Sequence, residues 1–169
     1  MRAPANPAMA SARRRRRDAT RVAVLSDTHG LLRHEALDYL RGARHIIHAG
    51  DIGKPQVLEE LRALAPVTAV RGNNDRGRWA AAIPPSAVLT VERVSIYVLH
   101  NLAELDIDPV GKYNVVISGH SHKPVIEERG GVLYLNPGSA GPRRFKLPIS
   151  LGELKISGTK VRARIKELA

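Results

Sequence analysis

The sequence predicts an α/β fold in which two β-sheets pack together and helices lie outside them. Runs rich in β-branched residues alternate with helical patterns from Arg21 onward, which is typical of α/β layer folds. Consecutive strand patterns then fill the C-terminal third, so a single doubly wound sheet does not account for the chain. A length of 169 residues with 43% hydrophobic residues suits one domain with a real core.

The first half of the chain is predicted to alternate strands with helices. Three buried strands are expected, at residues 21–26, 45–49 and 67–71. The intervening helices are expected around Ala36 and over residues 54–65, where Pro55 suits the first turn. Residues 74–86 are rich in proline and alanine, and we expect them to form an irregular surface loop near the site.

The second half is predicted to be almost entirely strand. The expected strands lie at residues 87–92, 93–99, 114–118, 125–128, 132–135, 149–156 and 160–165. The first two follow each other directly, which indicates a tight hairpin, and a short helical turn is expected after them. Val161, Ala163 and Ile165 alternate with polar residues, which indicates a strand with one face in water.

The composition excludes several kinds of site. The chain has no cysteine, so disulfides, thiolate zinc sites and cysteine nucleophiles are ruled out, and a metal ion would need His, Asp, Asn or Glu ligands. No apolar run approaches the roughly 18 residues of a membrane span, and the first 20 residues lack the apolar segment of a secretory signal. These features predict a soluble, cytoplasmic protein without a membrane partner.

Residues 1–20 are predicted to be a disordered basic extension of a domain that spans residues 21–169. Residues 1–21 hold seven arginines and one acid, and so carry +6 of the net charge of +11. A transit peptide and a nucleic-acid tether are alternative interpretations of this segment. A nucleic-acid partner is not favoured, since only six aromatic residues are spread through the chain.

Polar motifs follow five of the predicted strands. They are Ser26-Asp27-Thr28-His29-Gly30, Gly50-Asp51, Gly72-Asn73-Asn74-Asp75, His100 and Gly119-His120-Ser121-His122. Residues two apart, such as Asp27 and His29, project to the same side of an extended strand end. Because α/β folds gather their sites at the carboxyl ends of strands, we expect these ligands to converge on one rim.

The donor set indicates transition-metal chemistry. A mixture of His, Asp and Asn suits manganese, iron, zinc or nickel better than calcium or magnesium, which favour oxygen alone. Seven ligands exceed what one ion normally needs. Two ions that share a carboxylate, roughly 3.5 to 4 Å apart, can clamp a phosphoryl displacement and turn a bridging water into hydroxide near neutral pH.

The ordered series Asp-x-His, Gly-Asp, Gly-Asn-x-Asp, His and Gly-His-x-His resembles the calcineurin-like metallophosphoesterase superfamily, specifically its small bacterial and archaeal phosphodiesterases, over residues 21 to about 165. The resemblance implies the following ligands: Asp27, His29 and His122 for the first ion, Asn73, His100 and His120 for the second, and Asp51 as the bridge. Asp51, Asn73 and His120 would thereby serve the catalytic metal-hydroxide mechanism, with Mn²⁺ as the expected metal and Fe, Ni or Zn as alternatives. The resemblance also implies a four-layer αββα sandwich, in which two mixed β-sheets are flanked by helices, and it raises the expectation of a homodimer.

A loop beyond the last ligand motif extends the resemblance. Residues 136–139 (Asn-Pro-Gly-Ser) and Pro142-Arg143 match the family's loop near the metal rim, where proline and glycine fix a turn. Arg143 is the candidate to contact a substrate phosphate. Arg71, Arg76 and Arg144 compete for that role.

Two positions depart from the family pattern. Many members have a histidine after the metal-binding asparagine, where it is proposed to protonate the leaving group, but this chain has Asn74, which cannot act as an acid. Asn74 is kept as a candidate substrate contact, and Asp75 as a candidate catalytic acid whose favoured role is to orient the loop or a ligand histidine. Asn101 and Leu102 replace the glycine and histidine that commonly follow the ligand at position 100.

The remaining polar residues have structural interpretations. His34, His45 and His48 are expected to be surface or core residues, with His48 a candidate to contact a ligand from behind. Ser26, Ser121 and Ser139 are expected to cap turns, because a metal-bound hydroxide makes a serine nucleophile unnecessary.

The sequence therefore predicts a divalent-metal-dependent phosphodiesterase with a small phosphodiester substrate. The alternative is a non-catalytic scaffold or protein-binding module, since one subunit of the eukaryotic retromer complex resembles this fold yet works as a scaffold with a weakened metal site. All seven ligands are present here, which favours the enzyme.

Overall fold

The computed structural model describes residues 18–168. The first strand, β1, begins at Thr20, so the domain includes the last residue of the predicted extension. The predicted disorder of residues 1–17 lies outside the described residues.

The first sheet has five strands in the order β10-β9-β1-β2-β3. Their bounds are β1 Thr20–Leu25, β2 His45–His48, β3 Val67–Ala69, β9 Ser150–Ser157 and β10 Lys160–Glu167. β1, β2 and β3 run parallel, and β9 joins β1 antiparallel. Every strand of this sheet was predicted from the sequence, to within a few residues at each end.

The second sheet has the order β4-β5-β6-β8-β7. Its strands are β4 Ser86–Val91, β5 Val94–Leu99, β6 Val115–Ile117, β7 Pro124–Arg129 and β8 Val132–Pro137. β4 and β5 form the predicted hairpin, and β5, β6 and β8 run parallel. The predicted pair of mixed sheets is therefore confirmed.

The helices lie against the first sheet. They are α1 His34–Leu40, α2 Pro55–Arg62 and α3 Arg78–Ala81. Leu40, Leu58 and Leu61 bury their side chains with Leu25 and Leu151 of the sheet's outer face. The expectation of an irregular segment at 74–86 is wrong for α3, because the turn that follows Gly77 closes with a bond from the Ala81 amide to the Gly77 carbonyl, 3.0 Å long.

The outer layer over the second sheet is thin. Within residues 18–168 the only helical piece over this sheet is a 3₁₀ turn at Leu102–Glu104. A buried cluster of Leu99, Val116 and Val132 is covered there by Leu102, Leu105, Tyr97 and Tyr134. The predicted helical turn after β5 is this element. The fourth layer of the sandwich therefore consists of one short turn and its loop.

The main core lies between the two sheets. Val24 and Ile47 of the first sheet pack with Val98 and Ile117 of the second, and all four side chains are fully buried. This packing holds the carboxyl ends of β1, β2, β5 and β6 against one another, which positions the polar motifs. Among residues 18–168, no helix is both long and apolar enough to cross a membrane.

Candidate metal centre

Backbone hydrogen bonds tie the polar loops together. The Asp27 amide donates to the Gly50 carbonyl at 3.0 Å, and the His29 amide donates to the Asp51 carbonyl at 2.9 Å. The amide of Gly119 donates to the carbonyl of His100 at 2.9 Å. Neighbouring strand ends therefore continue to pair past the sheets, and the loops form one connected rim.

The backbone of this rim is strained. Five of the seven predicted ligands have a left-handed φ: 56° at Asp27, 47° at His29, 53° at Asp51, 69° at His120 and 61° at His122. Such values are uncommon outside glycine and persist only where the surrounding structure enforces them. Strain of this kind is concentrated at functional sites, so its presence at the predicted ligands supports a functional role.

One donor group consists of Asp27, His29 and His122. Asp27 Oδ1 lies 3.2 Å from His122 Nε2 and 3.8 Å from His29 Nε2. The two imidazole Nε2 atoms are 3.4 Å apart. Asp27 and His122 are buried, and His29 is partly exposed, so the group opens to solvent on the His29 side.

A second donor group, which consists of Asn73, His100 and His120, adjoins the first. Asp51 Oδ2 lies 3.4 Å from His100 Nε2 and 3.8 Å from His29 Nε2, so Asp51 stands between the two groups. Asn73 Oδ1 lies 3.0 Å from His100 Nε2 and 3.2 Å from His120 Nδ1. The structure thus brings all seven predicted ligands together.

Asp27 provides the test of whether a cation fits. Its Oδ2 accepts bonds from Ser26 Oγ at 2.7 Å and from the His120 amide at 3.1 Å. Its Oδ1 is buried and has no hydrogen-bond partner among residues 18–168. A buried carboxylate oxygen without a donor is costly unless a cation or proton faces it, and here imidazole nitrogens surround it. The donors present therefore fit a transition-metal ion.

The carboxylates are held in their ionised form. Burial raises the pKa of Asp51, but hydrogen bonds from His100 and Asn74 outweigh it and hold the pKa well below its usual range. Asp27 behaves in the same way, since contacts with His122 and Ser26 outweigh burial and lower its pKa. Both groups are thus anionic at neutral pH, as metal ligands must be.

The imidazoles differ in their protonation. Burial lowers the pKa of His29 in spite of the nearby Asp51 and Asp27, which leaves a neutral ring with a free lone pair. Burial also acts to lower the pKa of His100, but Asp51 and the Ala49 carbonyl raise it above the ordinary value. His100 Nδ1 donates to that carbonyl at 2.7 Å, a bond that would fix the ring with Nε2 toward a metal ion.

The residues predicted around the ligands have specific contacts. Asn74 donates to both oxygens of Asp51, from its backbone amide and from Nδ2, each at 2.9 Å. Asp75 accepts from the amides of Gly53 at 2.9 Å and Gly72 at 2.8 Å. Both carboxylate oxygens of Asp75 are thus used to hold two loops together. The sequence favoured such an orienting role for Asp75 over the role of a catalytic acid. A substrate contact by Asn74 stays a prediction.

The arginines that are candidates to contact a substrate phosphate differ in where they lie. Arg143 and Arg144 are both exposed in the loop after β8. The charge of Arg144 is near enough to His29 to lower its pKa, and Arg144 was considered in the sequence only as a competitor of Arg143. Arg71 is instead turned inward, with Nη1 3.4 Å from the Ile83 carbonyl.

Ser26 has a role that the sequence interpretation missed. It was expected to cap a turn, but its hydroxyl donates to Asp27 Oδ2 and thereby leaves Oδ1 as the open oxygen. Ser139 adds a bond from its hydroxyl to the Asp27 carbonyl at 3.0 Å. In the sequence, only the adjacency of Ser26 to Asp27 pointed to this hydrogen bond. Adjacency does not show which oxygen of the Asp27 carboxylate accepts it.

His48 supports the rim from behind. It is fully buried, and its Nδ1 accepts from the Gly50 amide at 3.2 Å, so the ring proton sits on Nε2. Nε2 lies 3.0 Å from Thr28 Oγ1, whose own proton goes to the Ile52 carbonyl at 2.8 Å. His48 thus links the loops after β1 and β2 as a neutral ring.

His48 makes stability depend on pH. Burial lowers the pKa of His48 from 6.5 to about 4, so between these values the unfolded chain binds a proton that the folded protein does not. The free energy of unfolding is therefore expected to fall as the pH drops from 6.5 to 4, with His48 contributing about 3 kcal/mol of the decrease.

Urea titrations across this pH range should show that the free energy of unfolding changes less with pH for His48→Gln than for the parent. His34→Gln, at an exposed histidine of α1, should keep the parent slope; equal slopes for all three proteins would contradict the assignment.

Two mixed sheets with a partly buried cluster of His, Asp and Asn at the carboxyl ends of their strands define a metal-binding α/β protein. The chain belongs to the calcineurin-like phosphoesterase superfamily, because the sequence profile of that superfamily's domain matches residues 20–159. The family predicted from the ordered motifs is therefore confirmed.

Relatives and solved structures agree with this assignment. A probable metallophosphoesterase from Methanothermobacter thermautotrophicus is 34% identical over 161 residues, which cover 85% of this chain and 90% of the relative. A solved archaeal phosphodiesterase is similar with a TM-score of 0.73 and 25% identity, covering 86% of this chain and 99% of its own. Zinc-bound Vps29 from Entamoeba histolytica has a TM-score of 0.66 and 22% identity over 87% of this chain and 98% of its own, which shows a shared fold alone.

Proposed function

We propose that this protein is a divalent-metal-dependent phosphodiesterase that hydrolyses a small phosphodiester. The observation that carries the proposal is the pair of adjoining donor groups with Asp51 between them, 3.4 Å from His100 Nε2 and 3.8 Å from His29 Nε2. Membership of the phosphoesterase superfamily and the similarity to an archaeal phosphodiesterase support the reaction class.

The seven donors divide between two ions in this proposal. Asp27, His29 and His122 would hold one, while Asn73, His100 and His120 would hold the other, with Asp51 shared. The mixed donor set fits Mn²⁺, with Fe, Ni or Zn as alternatives. When bound, such a pair of ions supplies Lewis-acid polarisation of the phosphate and lowers the pKa of water between them.

The chain's own residues fix the geometry for this chemistry. Asn74 holds both oxygens of Asp51, and the Ala49 carbonyl holds the His100 ring. Arg144, exposed near His29, adds positive charge where an anionic substrate would approach. Because Asn74 cannot donate a proton as an acid, we expect the protein to favour substrates whose leaving group departs without protonation.

Metal dependence tests the proposal. Protein treated with a chelator should not hydrolyse bis(p-nitrophenyl) phosphate, and added Mn²⁺ should restore the reaction. His120→Ala removes a donor and should lower kcat/KM at least about 100-fold, whereas His34→Ala should leave it unchanged. Metal content of the purified protein should be measured alongside, by inductively coupled plasma mass spectrometry.

The same experiment separates the enzyme from a scaffold. A protein that binds metal tightly and yet hydrolyses no activated diester with any of Mn²⁺, Fe²⁺, Ni²⁺ or Zn²⁺ would contradict the phosphodiesterase and favour the binding module. Hydrolysis that survives both chelation and His120→Ala would also contradict it.

A further inference from the structure

A cavity of about 250 Å³ adjoins the candidate metal centre on the side of the second sheet. His120 lines this cavity, and its Nδ1 also lies 3.2 Å from Asn73 Oδ1 in the second donor group. The cavity and the centre therefore share the His120 side chain. A phosphate group bound at the ions would lie near His120, so one of its substituents could extend into the cavity.

The walls of the cavity are mainly apolar. Leu102, Val125, Tyr134 and Leu135 all contribute to the lining. Leu102 belongs to the apolar cluster over the second sheet, and Val125 is 42% exposed on the edge strand β7. An aliphatic and aromatic lining gains free energy by covering a nonpolar group.

The polar atoms of Asn136, which also lines the cavity, are already paired. Its Nδ2 donates to the Gly119 carbonyl at 2.9 Å and lies 3.1 Å from Ser121 Oγ, while its Oδ1 accepts from the Gly138 amide at 2.9 Å. A polar occupant would find the Asn136 amide engaged. Apolar atoms form the larger part of the remaining surface, which favours a nonpolar occupant.

The two charged side chains of the cavity lining, Glu127 and Arg129, form an ion pair with each other. Arg129 Nη2 lies 2.9 Å from Glu127 Oε2, and its guanidinium stacks over the Tyr134 ring with Cζ 4.9 Å from the ring centroid. Glu127 and Arg129 both line the cavity. Their pairing leaves the attraction for an anion to the metal centre, and an aromatic occupant would share the Tyr134 ring with the guanidinium or displace it.

Local sequence accounts for the apolar wall beside His120. Asn101 Oδ1 accepts from the Ala103 amide at 3.1 Å and begins the 3₁₀ turn that carries Leu102. Leu102 is one of the two residues at which the sequence departs from the family pattern. The departure supplies an apolar surface to the cavity where the pattern would place a histidine.

We propose that the cavity binds a flat aromatic substituent of the phosphoester, such as a phenyl ring or a nucleobase. An apolar cavity of roughly 150 Å³ is enough to hold benzene, so this one accommodates a single ring system. The proposal rests on the proposed function for the anchoring of the phosphate, and it adds the substrate class: phosphoesters with one aromatic ester group.

Simple phosphonates test the cavity without requiring catalysis. Isothermal titration calorimetry of the Mn²⁺-loaded protein should show that phenylphosphonate binds about tenfold more tightly than methylphosphonate. Val125→Trp fills the cavity and should remove this preference. The matched control is Val88→Trp, since Val88 is 54% exposed on β4, at the opposite edge of the same sheet, and is outside the cavity lining; it should keep the tenfold difference.

The outcomes distinguish the cavity from the catalytic proposal. Equal binding of the two phosphonates by the parent, or a preference that Val125→Trp leaves intact, overturns the aromatic subsite even if diesters are hydrolysed. A phenyl preference that disappears only in Val125→Trp supports the subsite even if hydrolysis fails, and in that case the phosphodiesterase proposal alone falls.

Discussion

Asp51→Asn is expected to lower Mn²⁺-dependent hydrolysis of bis(p-nitrophenyl) phosphate about 1000-fold or more. Asparagine keeps the shape of the side chain but removes the negative charge between the two donor groups. Its NH2 group must also face one of the two Asn74 donors, the backbone amide or Nδ2, each of which donates to an Asp51 oxygen at 2.9 Å. The variant therefore lacks the proposed shared ligand and one of its hydrogen bonds from Asn74.

A second measurement locates the cause of that loss. Mn²⁺ should raise the melting temperature of the parent, because binding to the folded state stabilises it, and the rise should be much smaller for Asp51→Asn. Asp38→Asn is the matched control, since Asp38 is an exposed aspartate of α1 that pairs only with Arg41, at 3.5 Å, among the ion pairs found in residues 18–168. A normal metal-induced rise and normal kcat in Asp51→Asn would show that Asp51 is not a ligand.

Gly72→Ala is expected to lower the free energy of unfolding by about 3 kcal/mol and to reduce hydrolysis as well. A Cβ at position 72 would overlap the backbone nitrogen and Oδ1 of Asp51. Backbone atoms cannot move aside as the end of a flexible side chain can. The loop that contains Gly72 and the loop that contains Asp51 must therefore separate. The Gly72 amide that donates to Asp75 Oδ2 would move with them.

Gly152→Ala provides the comparison for this substitution. A Cβ at position 152 would meet Pro137 Cβ at 3.4 Å and Leu135 Cδ1 at 3.5 Å, which are ordinary van der Waals contacts. We expect a change of less than about 1 kcal/mol there. Urea denaturation of the two variants, with circular dichroism as the signal, gives both values; a Gly72→Ala protein as stable and active as Gly152→Ala would show that the rim tolerates separation.

The clustering of the candidate ligands could be predicted because each motif is short and lies near a strand end. Asp27 and His29 lie in the loop after β1, and His100 immediately follows β5, so the parallel arrangement of strands brings them to one rim once the sheets are known. The strand patterns were strong because β-branched residues repeat along buried runs. Periodicity therefore predicted the sheets, while the assignment of ligands came from the resemblance to the phosphoesterase family.

The hydrogen-bond partners of the supporting residues could not be predicted, because they depend on loop conformation. The turn at Gly72–Asp75 decides that Asn74 faces Asp51 and that Asp75 faces two backbone amides. The short helix Arg78–Ala81 depends on Gly77, whose φ of 96° no periodicity reveals. The cavity beside His120 likewise results from the packing of residues far apart in the chain, such as Leu102 and Val125.

The left-handed backbone at five of the seven donors has a consequence for how this protein could be altered. Glycine is the residue that relaxes such a conformation most easily, so a glycine at His122, for example, would relieve local strain while deleting the imidazole. Selection for stability alone would therefore tend to replace the proposed metal ligands with glycine.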